Sequence, residues 1–261
     1  VLLYAIVRDT PYKTAAPKSI RPKGSFRQDF VRLIRNKMAW YSGLYSCMMF
    51  SVITVFVSLW GIPFFQLAHH MTLMSATVVS NMVVIGVAIG SPLVGWLDAR
   101  VNRRRLLSTM ALLTTGFLCV AIYIPSLSEP VLVAVMLAIG ICCSAYVIPF
   151  AVAHELATPS TRSTYMGFTN MMSVGSAPIF QPIVGLLIYL AAEGSMHHTH
   201  AAYTVANYQV GLTVIPLLAL GAVFVARLLP LRTPLAACVE AGDQSCAIKE
   251  AHECVLVDQV A

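Results

Sequence analysis

The chain has 261 residues, 58% of them hydrophobic and only 11% charged, with a net charge of +6 at neutral pH. Its mean hydropathy is +0.77. A soluble domain carries about 25% charged residues, so this composition excludes a protein whose surface faces water throughout.

In chain order, Val1 to Val7 is apolar but too short to span a bilayer, and neither an initiator Met nor a basic segment precedes it. It reads as the last two turns of a preceding helix and not as a signal peptide. Residues 8–37 hold nine basic residues among Pro11, Pro17, Pro22 and Gly24, which predicts an irregular cytoplasmic linker. From there the charges thin out. No Asp, Glu, Lys or Arg occurs from Met38 to Leu97, Leu106 to Ser128, Pro130 to Ala153, Ser163 to Ala192 or Gly194 to Ala226. A hydrocarbon core about 30 Å thick needs roughly 20 apolar residues per helix, so the first stretch holds two crossings and each of the others one. Six spans are predicted, at 38–60, 73–97, 106–125, 131–153, 166–191 and 205–229. They are read as helices because a segment in lipid must satisfy its own backbone hydrogen bonds, and no short alternating strands of a membrane barrel are present. The expected architecture is an all-α integral membrane protein, with residues 1–37 as helix end and linker, 38–229 as a six-helix domain and 230–261 as a cytoplasmic tail.

The basic residues set the orientation. Loop 98–105 carries Arg100, Arg103, Arg104 and Arg105, loop 154–165 carries Arg162, and the C-terminal region carries Arg227, Arg232 and Lys249. Segments 61–72, 126–130 and 192–204 carry no Lys or Arg. Positive charge is retained on the cytoplasmic side, so both ends of the six-helix unit are expected there. The net charge thus reports topology and not nucleic-acid binding.

One loop carries a specific resemblance. Gly90-Ser-Pro-Leu-Val-Gly95-Trp-Leu-Asp98-Ala-Arg100-Val-Asn102-Arg103-Arg104-Arg105 resembles the signature of the major facilitator superfamily, a Gly-rich helix end followed by an Asp-Arg-x-Gly-Arg-Arg turn. Ala99 stands where that pattern has its Asp, with Asp98 one place earlier. Asn102 stands where it has a Gly, and Asn is the next-best residue for a left-handed turn. Arg8-Asp9-Thr10-Pro11 looks like the start of the family's central loop, and Glu155 and Arg162 match an acidic and a basic residue after helix 10. Trp60-Gly-Ile-Pro63-Phe resembles the end of helix 7, and Phe168-Thr-Asn170-Met with Pro178-Ile-Phe-Gln181-Pro182-Ile-Val-Gly185 resembles helix 11, of a bacterial branch. The resemblance implies one half of a major facilitator fold, helices 7–12, in a bacterial inner membrane. It further implies a secondary transporter working by alternating access with a second six-helix half, whether a missing N-terminal half or another copy.

Polar residues inside spans are the candidates for solute contact, because such groups are costly unless they face protein or water. These are Tyr41, Tyr45, Asn81, Tyr146, Asn170 and Gln181. The competing account is that Ser, Asn and Gln tie helices together and Tyr and Trp lie in interfacial belts. No carboxylate or Lys lies within a predicted span, and the one Arg, Arg227, stands at the cytoplasmic end of the last, so a small polar organic solute is expected and no fixed charge for an ionic one. Asp98, Arg100, Arg103, Arg104, Glu155 and Arg162 are candidates for a gating network on the cytoplasmic side, or else are topology determinants and headgroup anchors. Gly86 and Gly90, four apart, present a close-packing face.

His69-His70 and His197-His198 with His200 match no recognised metal spacing, so no metal and no cofactor is expected. Cys47, Cys119, Cys142 and Cys143 lie in spans and Cys238, Cys246 and Cys254 in the tail, which argues for reduced thiols. No nucleotide loop, metalloprotease motif or Ser–His–Asp arrangement is present, so catalysis is not expected. The expected partners are membrane lipid, a small solute and the second half. The alternative reading is a non-transporting half-transporter remnant or regulatory subunit.

Overall fold

The computed structural model describes residues 26–124, 127–158, 161–193 and 203–229. The expectations for residues 1–25, the histidines at 197–200 and the tail at 230–261 fall outside them. Among the described residues there is no strand, and six helices are long and apolar enough to cross a membrane.

Helix α1 (Phe26–Arg35) lies where an irregular linker was expected. The prolines that suggested irregularity end at Pro22, and Phe26 to Arg35 contains neither Pro nor Gly. The first span runs from Lys37 to His69 as α2 (Lys37–Ser51), a π-helical segment (Val52–Trp60) and α3 (Gly61–His69). It is longer than the predicted 38–60 because Pro63 does not stop it. Pro63 falls in the first turn of α3, where a missing N–H breaks no bond within that helix. The span ends at His70, whose φ of 53° is left-handed and turns the chain.

The second span is α4 (Leu73–Asp98), started by Thr72, whose hydroxyl accepts from the Ser75 N–H. The third is α5 (Arg103–Tyr123). Asn102 is not in the left-handed conformation expected of it. It has φ −62° and ψ 117°, and its side-chain carbonyl caps α5 by accepting from the N–H groups of Arg104 (3.0 Å) and Arg105 (3.4 Å). Asn serves here as an N-cap, its other strong preference.

The fourth span is α6 (Glu129–Cys143), a 3-10 turn (Ser144–Val147) and α7 (Ile148–Leu156). The fifth is α8 (Arg162–Val174) and α9 (Ser176–Glu193), separated at Gly175. The sixth is α10 (Val205–Leu212) and α11 (Val214–Leu228).

The second span packs on the fourth, the third on the sixth, and the first on the fifth and sixth. The closest approach is between α4 and α6. A Cβ on Gly86 would lie 2.9 Å from Gly140 Cα and run into the Leu137 carbonyl, and a Cβ on Gly140 would run into the Val83 carbonyl. Gly90 continues the contact, 2.6 Å from a Cβ to Ser144 Oγ. Backbones thus touch over two turns, as the spacing of Gly86 and Gly90 predicts. Besides a smaller one around Leu33, Tyr165 and Phe168, two large apolar cores result. One, around Phe56, Phe64, Val83 and Met136, fills the half remote from the arginines; the other, around Tyr45, Met49, Leu107 and Val152, fills the basic half.

Candidate functional site

At the basic end, Asp98 closes α4, Arg103 opens α5 and Glu155 lies in the last turn of α7. Arg103 is 2% exposed and Asp98 8%. The guanidinium donates from Nε to Asp98 Oδ1 at 3.0 Å and from Nη2 to Oδ2 at 2.9 Å. Its other edge donates from Nη1 to Glu155 Oε2 at 2.7 Å and from Nη2 to Oε1 at 2.8 Å. Two bidentate forks from one planar group tie three spans together, which an ammonium could not do. Asp98 makes the pair although the family pattern has its Asp one position later. The last turn of α4 turns Asp98 inward and leaves Ala99 exposed. A hollow of about 270 Å³, lined by Asp98, Arg103, Glu155 and Ser91 among others, opens beside the trio.

The other expected members of this network are placed elsewhere. Arg100 lies 4.1 Å over the Trp96 ring, a cation–π contact. Arg104 donates from Nε to the Leu229 carbonyl at 2.7 Å, tying the third span to the end of the sixth. Arg162 is exposed at the start of α8.

Near mid-length, four spans depart from α-helix: the first over Val52–Trp60, the fourth over Ser144–Val147, the fifth at Gly175 and the sixth at Thr213. At 1.5 Å per residue these departures begin roughly 14–22 Å from the basic end, all in the middle of their spans. A hydrogen-bonded seam runs beside them. Ser46 and Ser173 share a bond of 2.6 Å, and Ser46 Oγ lies 3.1 Å from the Tyr146 carbonyl. Ser173 Oγ also lies 2.8 Å from the Thr169 carbonyl one turn back, so the two hydroxyl protons are shared among three contacts. Higher up, Thr54 and Ser176 share a bond of 2.7 Å, and Gln181 Nε2 donates to the Thr54 carbonyl at 2.7 Å. Ser42 donates to the Pro149 carbonyl at 3.1 Å. The seam thus joins the first span to the fourth and fifth at their breaks.

Of the expected solute contacts, Gln181 is part of this seam and Tyr146 joins it through its carbonyl, with its ring 4.7 Å from that of Phe50. Tyr45 is wholly buried and donates to the Leu107 carbonyl at 3.1 Å; Tyr41, one turn earlier, is half-buried. Asn170 is exposed on α8, and Asn81 is exposed on α4, where it donates to the Thr77 carbonyl of its own helix at 2.9 Å. Reading by residue type passed over Ser42, Thr54, Ser173 and Ser176. Their signal is spacing: Ser42 and Ser46, and Thr169 and Ser173, stand four apart on facing helices.

The fifth span is the least enclosed, with 17% of its apolar window buried against 50% for the first, fourth and sixth. Six apolar crossings, with hydroxyls turned inward and apolar side chains outward, define a multi-pass α-helical membrane protein. The sequence profile of the Major Facilitator Superfamily matches residues 1–182 and 62–245, and the chain belongs to that family of membrane transporters. Among curated proteins, none matches it.

The seam makes one prediction. Replacing both Ser46 and Ser173 with Ala removes both hydroxyls of a bond that links the first span to the fifth. Interhelical bonds of this kind average about 0.6 kcal/mol in membranes. The double variant should therefore lose only about that much stability in detergent unfolding, and Ser46→Ala alone should cost no more, since Ser173 can still donate to the Thr169 carbonyl of its own helix. A double-mutant cycle with no coupling would separate the pair energetically.

Proposed function

We propose that this chain is the C-terminal half, helices 7–12, of a secondary transporter that moves a small polar organic solute by alternating access. The observation that carries the reading is the occurrence of helix departures in the first, fourth, fifth and sixth spans in the middle of their length, beside a polar seam that joins the first span to the fourth and fifth. Helices that lose regular hydrogen bonding at mid-membrane supply both polar groups for a solute and points about which half-spans can turn. The exposed Asn170 and Asn81 and the partly open Tyr41, Tyr146 and Gln181 are the proposed solute contacts. Tyr45, its hydroxyl already engaged, positions the segment that carries Tyr41.

In this reading the Asp98–Arg103–Glu155 trio latches the cytoplasmic end while the path is open to the outside, and releases when the spans rock. Arg100, Arg104 and Arg162 hold the same end at the headgroups. A second six-helix unit supplies the opposite wall, facing the little-buried fifth span. The basic end is cytoplasmic by the charge asymmetry of the loops, and the membrane is a bacterial inner membrane. No carboxylate lies at mid-span in this half, so proton coupling would be carried by the other.

The test is uptake by membrane vesicles, first with this chain and then with the upstream coding segment restored, over a panel of amino acids, sugars and organic acids with and without a proton gradient. Uptake is expected with the restored segment. Tyr41→Ala and Asn170→Ala should then each lower it about ten-fold, the order expected for losing one polar contact of 1–1.5 kcal/mol. Folded protein that transports nothing across a broad panel would sink the proposal in favour of a non-transporting subunit.

A further inference from the structure

Helix α1 carries a surface that membrane crossing does not use. Its described exposed residues are of two kinds: Phe30, Val31 and Ile34, which are 42%, 45% and 43% exposed, and Arg27, Arg32 and Arg35. At about 100° per residue, Leu33, Phe30 and Ile34 follow one another over about 100° of arc, and Arg27, Val31 and Arg35 continue the next stretch. Leu33 is 1% exposed and belongs to a small core with Ala39, Tyr165 and Phe168. One edge of the apolar strip is therefore anchored to the protein, while Phe30, Val31 and Ile34 keep about two-fifths of their surface exposed.

The anchoring is specific. The Ile34 carbonyl accepts from Trp40 Nε1 at 2.8 Å, and the Trp40 ring meets Phe168 edge-on at 5.1 Å. Asn36 donates to Tyr165 Oη at 3.2 Å. These contacts hold α1 against the first and fifth spans. Only Asn36 separates α1 from the first span, so its far end lies within about 15 Å of the start of that span. Arg27, Arg32 and Arg35, with Val31, line a hollow of about 440 Å³.

We propose that α1 lies in the membrane interface and that Arg27, Arg32 and Arg35 hold the phosphate of an anionic phospholipid whose acyl chains cover Phe30, Val31 and Ile34. Charge selects an anion, and guanidinium groups are suited to phosphate oxygens. The apolar strip running alongside selects a lipid over a free anion, because inorganic phosphate would leave Phe30 and Ile34 in water. Because α1 touches the start of the fifth span, such a lipid sits against one of the spans with a mid-length break. The inference needs only that the chain is embedded in a bilayer, and it stands or falls independently of transport.

The experiment uses the full chain, purified and exchanged into equimolar phosphatidylglycerol and phosphatidylcholine, with retained lipids counted by native mass spectrometry. The wild-type chain is expected to keep phosphatidylglycerol preferentially. Arg27→Gln/Arg32→Gln/Arg35→Gln should reduce that preference about ten-fold or more, since each basic residue near an anionic surface contributes severalfold. Phe30→Ser/Ile34→Ser should reduce it too, and the triple Arg→Lys variant should restore most of it, which shows that the Gln variant's loss is one of charge and not of fold. Unchanged preference in the Gln variant overturns the proposal. Loss of the lipid on adding inorganic phosphate, with full retention in the Ser variant, overturns it in favour of a free-anion site.

Discussion

Arg103→Ala is expected to destabilise the protein by about 3–5 kcal/mol, the range found when one partner of a buried ion pair is removed. The substitution takes away four short hydrogen bonds at once and leaves two carboxylates, Asp98 and Glu155, facing each other in a largely buried setting. The loss would be seen as a lowered unfolding temperature in detergent. Arg103→Lys keeps the charge but not the planar fork, so it should fall between Ala and wild type. The informative variant is the triple Asp98→Asn/Arg103→Ala/Glu155→Gln, which removes the stranded charges together with their partner. It should recover a substantial part of what Arg103→Ala loses, while a transporter latched by the trio would still be impaired in uptake. A change in Arg103→Ala within about 0.5 kcal/mol of wild type would place this group among ordinary surface ion pairs, against its burial.

The second large effect is expected at Gly140. A single methyl there would collide with the Val83 carbonyl and lie 2.9 Å from Gly86 Cα, and both obstacles are backbone that cannot swing aside. Gly140→Ala should push α6 off α4 and cost about 1–3 kcal/mol or more, as overpacking does. Gly140→Leu should leave little folded protein to recover from membranes. The comparison that isolates the cause is Gly116→Ala in α5. A Cβ there meets nothing within 4 Å, so the same change should be neutral or stabilising by about 0.5–1 kcal/mol. Monodispersity on size exclusion and thermal unfolding of the two Ala variants give the answer. Equal behaviour would mean that α4 and α6 separate without penalty.

How much of this was legible in the residues themselves differs from place to place. The six crossings follow from charge-free stretches because lipid permits few charges, and only their ends moved: the first was read to end at residue 60, yet Gly61 begins a further helix that carries Pro63 in its first turn. Asn102 suits both a left-handed turn and an N-cap, and the local pattern cannot choose between them. Asp98 and Arg103 are five apart and could be paired by eye, whereas Glu155 reaches Arg103 only because α7 folds back beside α4. The seam was the least legible feature. A Ser or Thr in a membrane helix can satisfy itself on its own chain, as Thr77, Ser91, Thr114 and Thr115 do by donating four residues back. Nothing in the residue type marks Ser46 and Ser173 as the ones that reach across.

The π-helical segment has a consequence for the whole first span. Each of its turns takes in about one residue more than an α turn, and every extra residue shifts the angular phase by about 100°. The face that α2 turns toward the fifth span is therefore not continued by the same heptad positions in α3. Phe64 and Phe65 reach the core because of that phase slip. Lys37 to His69 behaves as two rotors on one axle, and the residue count between Val52 and Trp60 sets the angle at which they are locked.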